Sequence, residues 1–283
     1  PKSSLITPMA VFLGRLKAGI IYTVRGRVYE NKIGIKRWLF ELADKFSCWV
    51  ASKVIFISKE IKDDFVKHEV VEDHKALLIG LGSSNGFDTN VFRKPTVDER
   101  NEAKDYFQLE RSANVITYVG RLALDKGADD LFRVFETIAE YDPLMNFLVI
   151  GKVEIQLESL LKKYSIDSSR LFFHDWCADI HKAYWASDVT VFPSFREGFG
   201  NVCVESILCG SPVVCYDVVG CRESVKQGIS GYKVPFRDTQ AMVGKIIDLS
   251  DDNDRRDIMV AKGTEWAIRS FNQEAATLAT NSH

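Results

Sequence analysis

The chain has 283 residues, enough for two ordinary domains, with 46% hydrophobic and 27% charged residues, a composition that supports a substantial globular core. No stretch approaches the roughly 18 uninterrupted apolar residues a spanning helix needs, so any membrane contact is expected to be peripheral. The net charge of −2 divides unevenly: residues 1–82 carry 14 Lys and Arg against 9 Asp and Glu, net +5, and the rest carries 23 against 30, net −7.

The basic end suits an anionic lipid surface or a phosphorylated acceptor, and equally a solvated basic face; no nucleic-acid partner is expected. The chain opens at Pro1 without a methionine or signal peptide, so the expectation is a cytoplasmic protein shown without its natural amino end. "GIIYTV", "KVIFIS" and "KALLIG" predict three strands, with helical stretches around 33–50 and 58–68. Three strands make half a sheet. "IGLGSSNGFD" places Gly80, Gly82 and Gly86 one residue off a G-x-G-x-x-G spacing, with no helix pattern opening from it. It predicts an interdomain turn rather than a phosphate cradle. The polar segment "FRKPTVDERNEAKDY" puts the linker near residues 88–96, dividing the chain into domains 1–90 and 91–283.

From residue 114 onward, "NVITYVG", "NFLVIG", "RLFFH", "DVTVFPS", "PVVCYDV" and "GYKVP" predict six strands alternating with helical segments. In "ADDLFRVFETIAEY" the residues Leu131, Val134, Phe135 and Ile138 share one stripe at spacings of three and four. This alternation predicts a doubly wound α/β domain with a parallel sheet. Six cysteines, Cys48, Cys177, Cys203, Cys209, Cys215 and Cys221, contain no C-x-x-C pair. The step of six from Cys203 to Cys221 crosses a helix, a strand and a loop. These thiols are therefore expected to be separate, small core residues in a reducing compartment, not a convergent metal set.

In a doubly wound sheet, ligands gather beyond the carboxyl ends of the strands. After "VITYV" comes "GRLALDKG": Gly120 lets the backbone approach a ligand, and Arg121 and Lys126 add two cations suited to phosphoryl oxygens. The plainer alternative pairs them with Asp125 or Asp129. After "VTVFP" comes "SFREGFGNVCVESILCGSPVV", where Gly198 and Gly200 clear space before a helix starting near Asn201, whose free N–H groups would face an anion. Glu197 lies in the turn. Glu205, one turn into the helix, suits a ribose gripped through two hydroxyls, or simply favours the helix dipole.

Together "GRLALDKG", "PSFREGFGNVCVESILCGSPVV" and "VGCRESVKQGISGYKVP" resemble glycosyltransferase family 4, retaining sugar transferases of the GT-B fold. The resemblance is strong over residues 114–235 and looser over "YTVRGRVYE" and "GSSNGFDTNVF". It implies two doubly wound Rossmann-like domains, the first incomplete here, since relatives carry further amino-terminal strands and a histidine ahead of the region matching "PKSSL". It further implies that Glu197 meets donor-sugar hydroxyls, Glu205 holds the nucleotide ribose, and Arg121 with Lys126 neutralises the diphosphate. The amides of Phe199, Gly200, Asn201 and Val202 would lie close to the sugar and phosphates. Departures are Asp175, where the family usually has a glycine, and Arg25, where many relatives carry a histidine. Phe173 and Trp176 read as core or base-flanking residues.

The expected function is transfer of a sugar from a UDP-linked donor to a glycan or polyprenyl-diphosphate-linked acceptor in bacterial surface polysaccharide assembly. Catalysis is expected to need no cofactor or metal, since the D-x-D at Asp252 and Asp254 lies in a polar helix start. Peripheral contact with the inner membrane face is the expected extent of membrane association. A UDP-sugar 2-epimerase and a non-catalytic nucleotide-sugar-binding fragment are the alternatives. A chain missing amino-terminal strands would bind UDP and transfer little.

Overall fold

The computed structural model describes residues 2–14, 19–27, 33–78, 80–83 and 86–271. Contacts divide it into two units, one ending at Gly86 and the other starting at Phe87. The loop "IGLGSSNGFD", read as a turn between domains, lies partly outside the described residues. No helix among those residues is long and apolar enough to cross a membrane.

The first unit runs α1 (Lys2–Leu13), β1 (Ile21–Val24), α2 (Ile35–Val50), β2 (Lys53–Phe56), α3 (Lys59–Lys67) and β3 (Ala76–Leu78). Its strands, the three predicted, form a parallel sheet in the order β1-β2-β3. α3 starts where Ser58 accepts a hydrogen bond from the Ile61 N–H at 3.3 Å. It packs Phe65 edge-on against Phe56 of β2, ring centres 5.2 Å apart. Large apolar side chains stay exposed on this unit, among them Phe12, Trp38, Leu39 and Trp49.

Asp44 on α2 accepts a hydrogen bond from the Tyr22 hydroxyl at 3.0 Å. Burial raises its carboxyl to about 6, and the Tyr22 bond offsets only part of that. The folded chain thus holds this proton more tightly than the unfolded one. The stability that follows is complete below the ordinary aspartate value and is lost as pH rises through about 6. Asp44→Asn is therefore expected to stabilise the protein at pH 7 by up to about 3 kcal/mol and leave it unchanged near pH 3. Urea titrations at both values test this; equal midpoints at pH 7 would refute it.

The second unit runs α4 (Val97–Tyr106), β4 (Val115–Val119), α5 (Ala128–Tyr141), β5 (Asn146–Ile150), α6 (Leu157–Lys163), β6 (Leu171–His174) and α7 (His181–Ala186). It continues through β7 (Val189–Phe192), α8 (Asn201–Leu208), β8 (Val213–Tyr216), α9 (Cys221–Ser224), β9 (Gly231–Val234), α10 (Thr239–Asp251) and α11 (Asn253–Phe271). All six predicted strands are present and parallel. The stripe on α5 is buried as its spacing required. α4 is fixed by a capping box: Thr96 accepts from the Glu99 N–H, and the Glu99 carboxylate accepts from the Thr96 N–H.

Strand order decides where a ligand can bind. The sheet reads β6-β5-β4-β7-β8-β9, so successive strands first build outward from β4 to one side, then resume at β7 on its other side. β4 and β7 are neighbours, with Ile116 opposite Val189. The carboxyl ends of these two strands are the switch point where a doubly wound sheet forms its ligand crevice, between loops that lead to helices on opposite faces. A buried chain of hydroxyls holds α8 at this crevice. Ser206 donates to Thr190 at 2.8 Å, Thr190 and Ser211 share a bond at 3.0 Å, and Ser211 reaches Ser187 at 3.1 Å. Each hydroxyl has a partner, so the polar chain orients the helix without leaving an orphan group in the core.

Candidate functional site

The loops after β4 and β7 are stitched together by their backbones. The Phe195 N–H donates to the Asp125 carbonyl at 3.1 Å. Gly127 adopts φ 71°, and a Cβ there would lie 2.0 Å from the Pro193 carbonyl oxygen. Only glycine satisfies both the left-handed backbone and that approach. Gly127→Ala is expected to destabilise the protein by about 2–5 kcal/mol, combining left-handed strain with overpacking. Denaturant unfolding checks it, and a loss under 1 kcal/mol would show that the loops part easily. Gly120, with φ 151°, donates its N–H to Ile150 at 2.9 Å. Gly151, which carries no role in the sequence reading, presses on Gly120: a Cβ there would fall 2.1 Å from the Gly120 carbonyl oxygen.

The stitched loops bring Lys126 to Glu197, Nζ to Oε1 at 2.6 Å, with both side chains largely buried. The ammonium also reaches the Arg196 carbonyl at 3.4 Å. Arg121 takes a different direction. Its guanidinium, half exposed, pairs with Glu154 and lies 3.6 Å from Asp125. An exposed pairing of this kind is worth little and is readily exchanged for a stronger anion.

α8 opens on Gly200, which has no side chain to cap it. A Cβ at Gly200 would meet the Ser224 hydroxyl at 2.5 Å, and one at Gly220 would meet the Glu197 Cβ at 2.8 Å. The Gly200 N–H donates to the Gly220 carbonyl at 3.2 Å, so the loop after β8 braces the turn. Gly198 is half-buried within that turn. Phe199 sends its ring inward against Phe271 and leaves its backbone at the turn. Asn201 is exposed and Val202 half-buried in the first turn of the helix.

Glu205 is half-buried and accepts a hydrogen bond from the Tyr184 hydroxyl at 2.9 Å. Burial raises its carboxyl above the usual range, and the tyrosine bond lowers it again in part. Tyr184, fully buried on α7, is a residue the sequence reading missed; the two are 21 positions apart and nothing in "KAYWAS" marks the contact. With Oε2 fixed, the carboxylate presents its remaining lone pairs in one orientation. Tyr184→Phe is expected to weaken nucleotide binding a few-fold, the worth of one net hydrogen bond. It should also shift the acid limb of binding to higher pH, because the lost bond favoured the ionised form. Calorimetry across pH 5–8 separates this from a merely structural loss, which would leave the limb in place.

Three expectations change. Cys203, Cys215 and Cys221 do converge: their sulfurs lie within 4.8 Å of one another, all fully buried, because α8 packs against both β8 and α9. Cys209, on the same six-residue step, is outside the group. Trp176 is 78% exposed and so is not a core residue, whereas Phe173 stacks on Phe132 at 6.4 Å. Lys126 pairs with Glu197 and not with Asp125 or Asp129, whereas Arg121 does pair with Asp125, and with Glu154 as well. Asp252 accepts from the Arg255 N–H at 2.9 Å just before α11, which is the helix start anticipated for the D-x-D. Arg25 is exposed.

A family model described as glycosyl transferases group 1 matches residues 99–266. The capsular polysaccharide biosynthesis glycosyltransferase CapM of Staphylococcus aureus is 31% identical over 283 residues, 97% of this chain and 72% of its own. The UDP-Gal:alpha-D-GlcNAc-diphosphoundecaprenol alpha-1,3-galactosyltransferase of Escherichia coli is 25% identical over 252 residues, 85% of this chain and 64% of its own. Among solved structures, Anabaena Alr3699/HepE in complex with UDP aligns with a TM-score of 0.84 at 20% identity, covering 99% of this chain and 75% of that one. Sucrose-phosphate synthase from Thermosynechococcus elongatus aligns at 0.81 and 22% identity, covering 98% and 70%. These likenesses show the fold: the α/β architecture with two Rossmann-like sheets, GT-B.

Proposed function

Because the chain belongs to the group 1 glycosyl transferases, we propose that its second unit binds a UDP-sugar at the β4–β7 crevice and that the protein transfers the sugar, with retention, to a glycan or lipid-linked acceptor. The observation that carries this reading is the meeting of three features at the switch point. A cation, Lys126, stands in the loop after β4, an uncapped helix start follows β7, and a carboxylate, Glu205, lies one turn further on.

Each part has a task in the chemistry. As the bond between the anomeric carbon and the diphosphate breaks, its electron pair leaves with the UDP, while the acceptor hydroxyl oxygen adds to the carbon and its proton passes to the departing diphosphate and on to solvent. Lys126, Arg121 and the amides of Phe199 and Val202 would meet the charge that grows on the leaving group, whereas the Gly200 and Asn201 N–H groups already donate to the Gly220 and Phe199 carbonyls at 3.2 and 2.9 Å and would have to exchange those bonds to join them. Glu205 holds the ribose, and Glu197 engages sugar hydroxyls. Because fixed cations do this work, the reaction is expected to proceed without added magnesium or manganese. Activity lost in EDTA and restored by either ion would overturn that.

A capsular polysaccharide relative and a diphosphoundecaprenol-linked galactosyltransferase support an acceptor in surface polysaccharide assembly. The likeness to a UDP-bound structure supports uridine as the base. Calorimetry with UDP, GDP and ADP, followed by a UDP-sugar panel with a lipid-diphosphate acceptor and NMR of the product anomer, tests the proposal. Tightest binding of GDP or ADP, or an inverted product, would refute the corresponding part.

A further inference from the structure

Directly behind the turn that carries Glu197 lies the group formed by Cys203, Cys215 and Cys221. We propose that these three thiols form a binding site for one thiophilic divalent cation of the zinc class, and that the bound ion ties α8, β8 and α9 together beneath the donor crevice.

Geometry and chemistry support the assignment. A zinc-class ion holds sulfur at about 2.3 Å, which places three thiolates around it about 4 Å apart. The sulfurs here are already within 4.8 Å of one another, so less than 1 Å of adjustment completes the set. They come from three separate elements, the first turn of α8, the middle of β8 and the start of α9, so the triangle is enforced by tertiary structure. Soft thiolate ligands select ions of this kind over magnesium or calcium. Small apolar residues would fill the same volume without placing three sulfurs face to face.

The site also has the surroundings such an ion needs. Binding a divalent ion releases three protons and leaves one net negative charge on the trithiolate centre. Lys233 stands opposite Cys215 across the β8–β9 ladder and supplies a nearby positive charge. The Ser224 hydroxyl, within hydrogen-bonding reach of the Cys203 sulfur, is the oxygen placed to complete a tetrahedral set.

The ion would act as a clasp. Cys221 follows Gly220, which packs on Glu197, and Cys203 lies two residues before Glu205. Fixing the two sulfurs fixes the spacing between the turn and the helix that together form the crevice wall. This role is separate from leaving-group chemistry and holds whatever the donor is.

Cadmium provides the test, because its thiolate complexes absorb in the ultraviolet. Reduced, chelator-treated protein titrated with cadmium is expected to develop a charge-transfer band that saturates at one ion per chain, to release close to three protons per ion, and to lose the band on competition with zinc. Cys215→Ala and Cys221→Ala should each abolish saturation at one equivalent, while Cys209→Ala, outside the cluster, should retain it. If either cluster variant fails to fold, X-ray absorption on the unaltered zinc-loaded protein decides: three sulfur neighbours at about 2.3 Å support the site. No saturable band, fewer than three sulfur neighbours, or a band that survives Cys215→Ala overturns it.

Discussion

Glu205→Ala should weaken UDP binding about 10- to 150-fold, the cost of losing a charged hydrogen-bond partner worth roughly 1.5–3 kcal/mol. The reason is the placement of this carboxylate: it is half-buried on α8, one turn from the helix start, with the Tyr184 hydroxyl bound to Oε2, which leaves the other oxygen for the ribose assigned to it. Uridine alone should lose nearly as much affinity as UDP, since the contact assigned to Glu205 is with the ribose. The same carboxylate costs the ligand-free protein stability. Burial raises its carboxyl, so the folded state binds the proton more tightly than the unfolded state. Its stabilising contribution is complete below the ordinary glutamate value and is lost as pH rises through the raised one. Glu205→Gln keeps the volume and an acceptor for Tyr184 but carries no charge, so it should melt higher than the unaltered protein at about pH 7.5 and no higher near pH 3, below the ordinary glutamate value. A binding residue that is more stable when disabled fits the trade-off common at functional sites. Unchanged UDP affinity in a folded Glu205→Ala protein would remove the ribose assignment.

How far this site can be read from sequence follows from which interactions are local. The six strands of the second unit are legible because those inside the sheet are covered on both faces and must be apolar nearly throughout; β4, β5, β7 and β8 are buried at every position, while the edge strand β6 is half-buried along its length and is read from its aromatic and apolar run alone. The helix start at Asn201 and the crevice loops are legible because glycines mark the places where backbone conformation or close approach forbids a side chain. Gly127 shows this most directly, wedged against Pro193. Contacts that depend on tertiary closure leave no such mark. Tyr184 meets Glu205 only because α7 and α8 pack side by side beneath the hydroxyl chain. The three thiols meet because a strand and two helix starts, regular in sequence spacing by coincidence, face one point; Cys209 keeps the spacing and misses it. Trp176 shows how an aromatic near a strand leaves two readings open: it lies two residues past the end of β6, where the chain has turned to solvent, so it is not core, and the base-flanking reading remains.

The Lys126–Glu197 pair gives the second large effect, with opposite signs for its two members. In the ligand-free protein the ammonium donates to the Glu197 carboxylate at 2.6 Å, so a diphosphate arriving at Lys126 must take it from a partner it already has. Lys126→Ala removes the cation and should weaken UDP about 10- to 150-fold while leaving uridine affinity nearly unchanged. Glu197→Gln removes the competitor. It leaves a neutral amide that still fits against Gly220, and UDP should then bind tighter by about 0.5–1.5 kcal/mol, roughly two- to tenfold. Transfer should fall in the same variant, because the carboxylate that competes for Lys126 in the resting state is the group assigned to the sugar hydroxyls once the diphosphate has claimed the lysine. Tighter product and slower turnover in one variant distinguish this exchange from simple damage, which would weaken both. Calorimetry with UDP and uridine on the two variants, paired with turnover on Glu197→Gln, reads it out: UDP bound more weakly by folded Glu197→Gln would mean that the glutamate supports the diphosphate site instead of competing for its lysine.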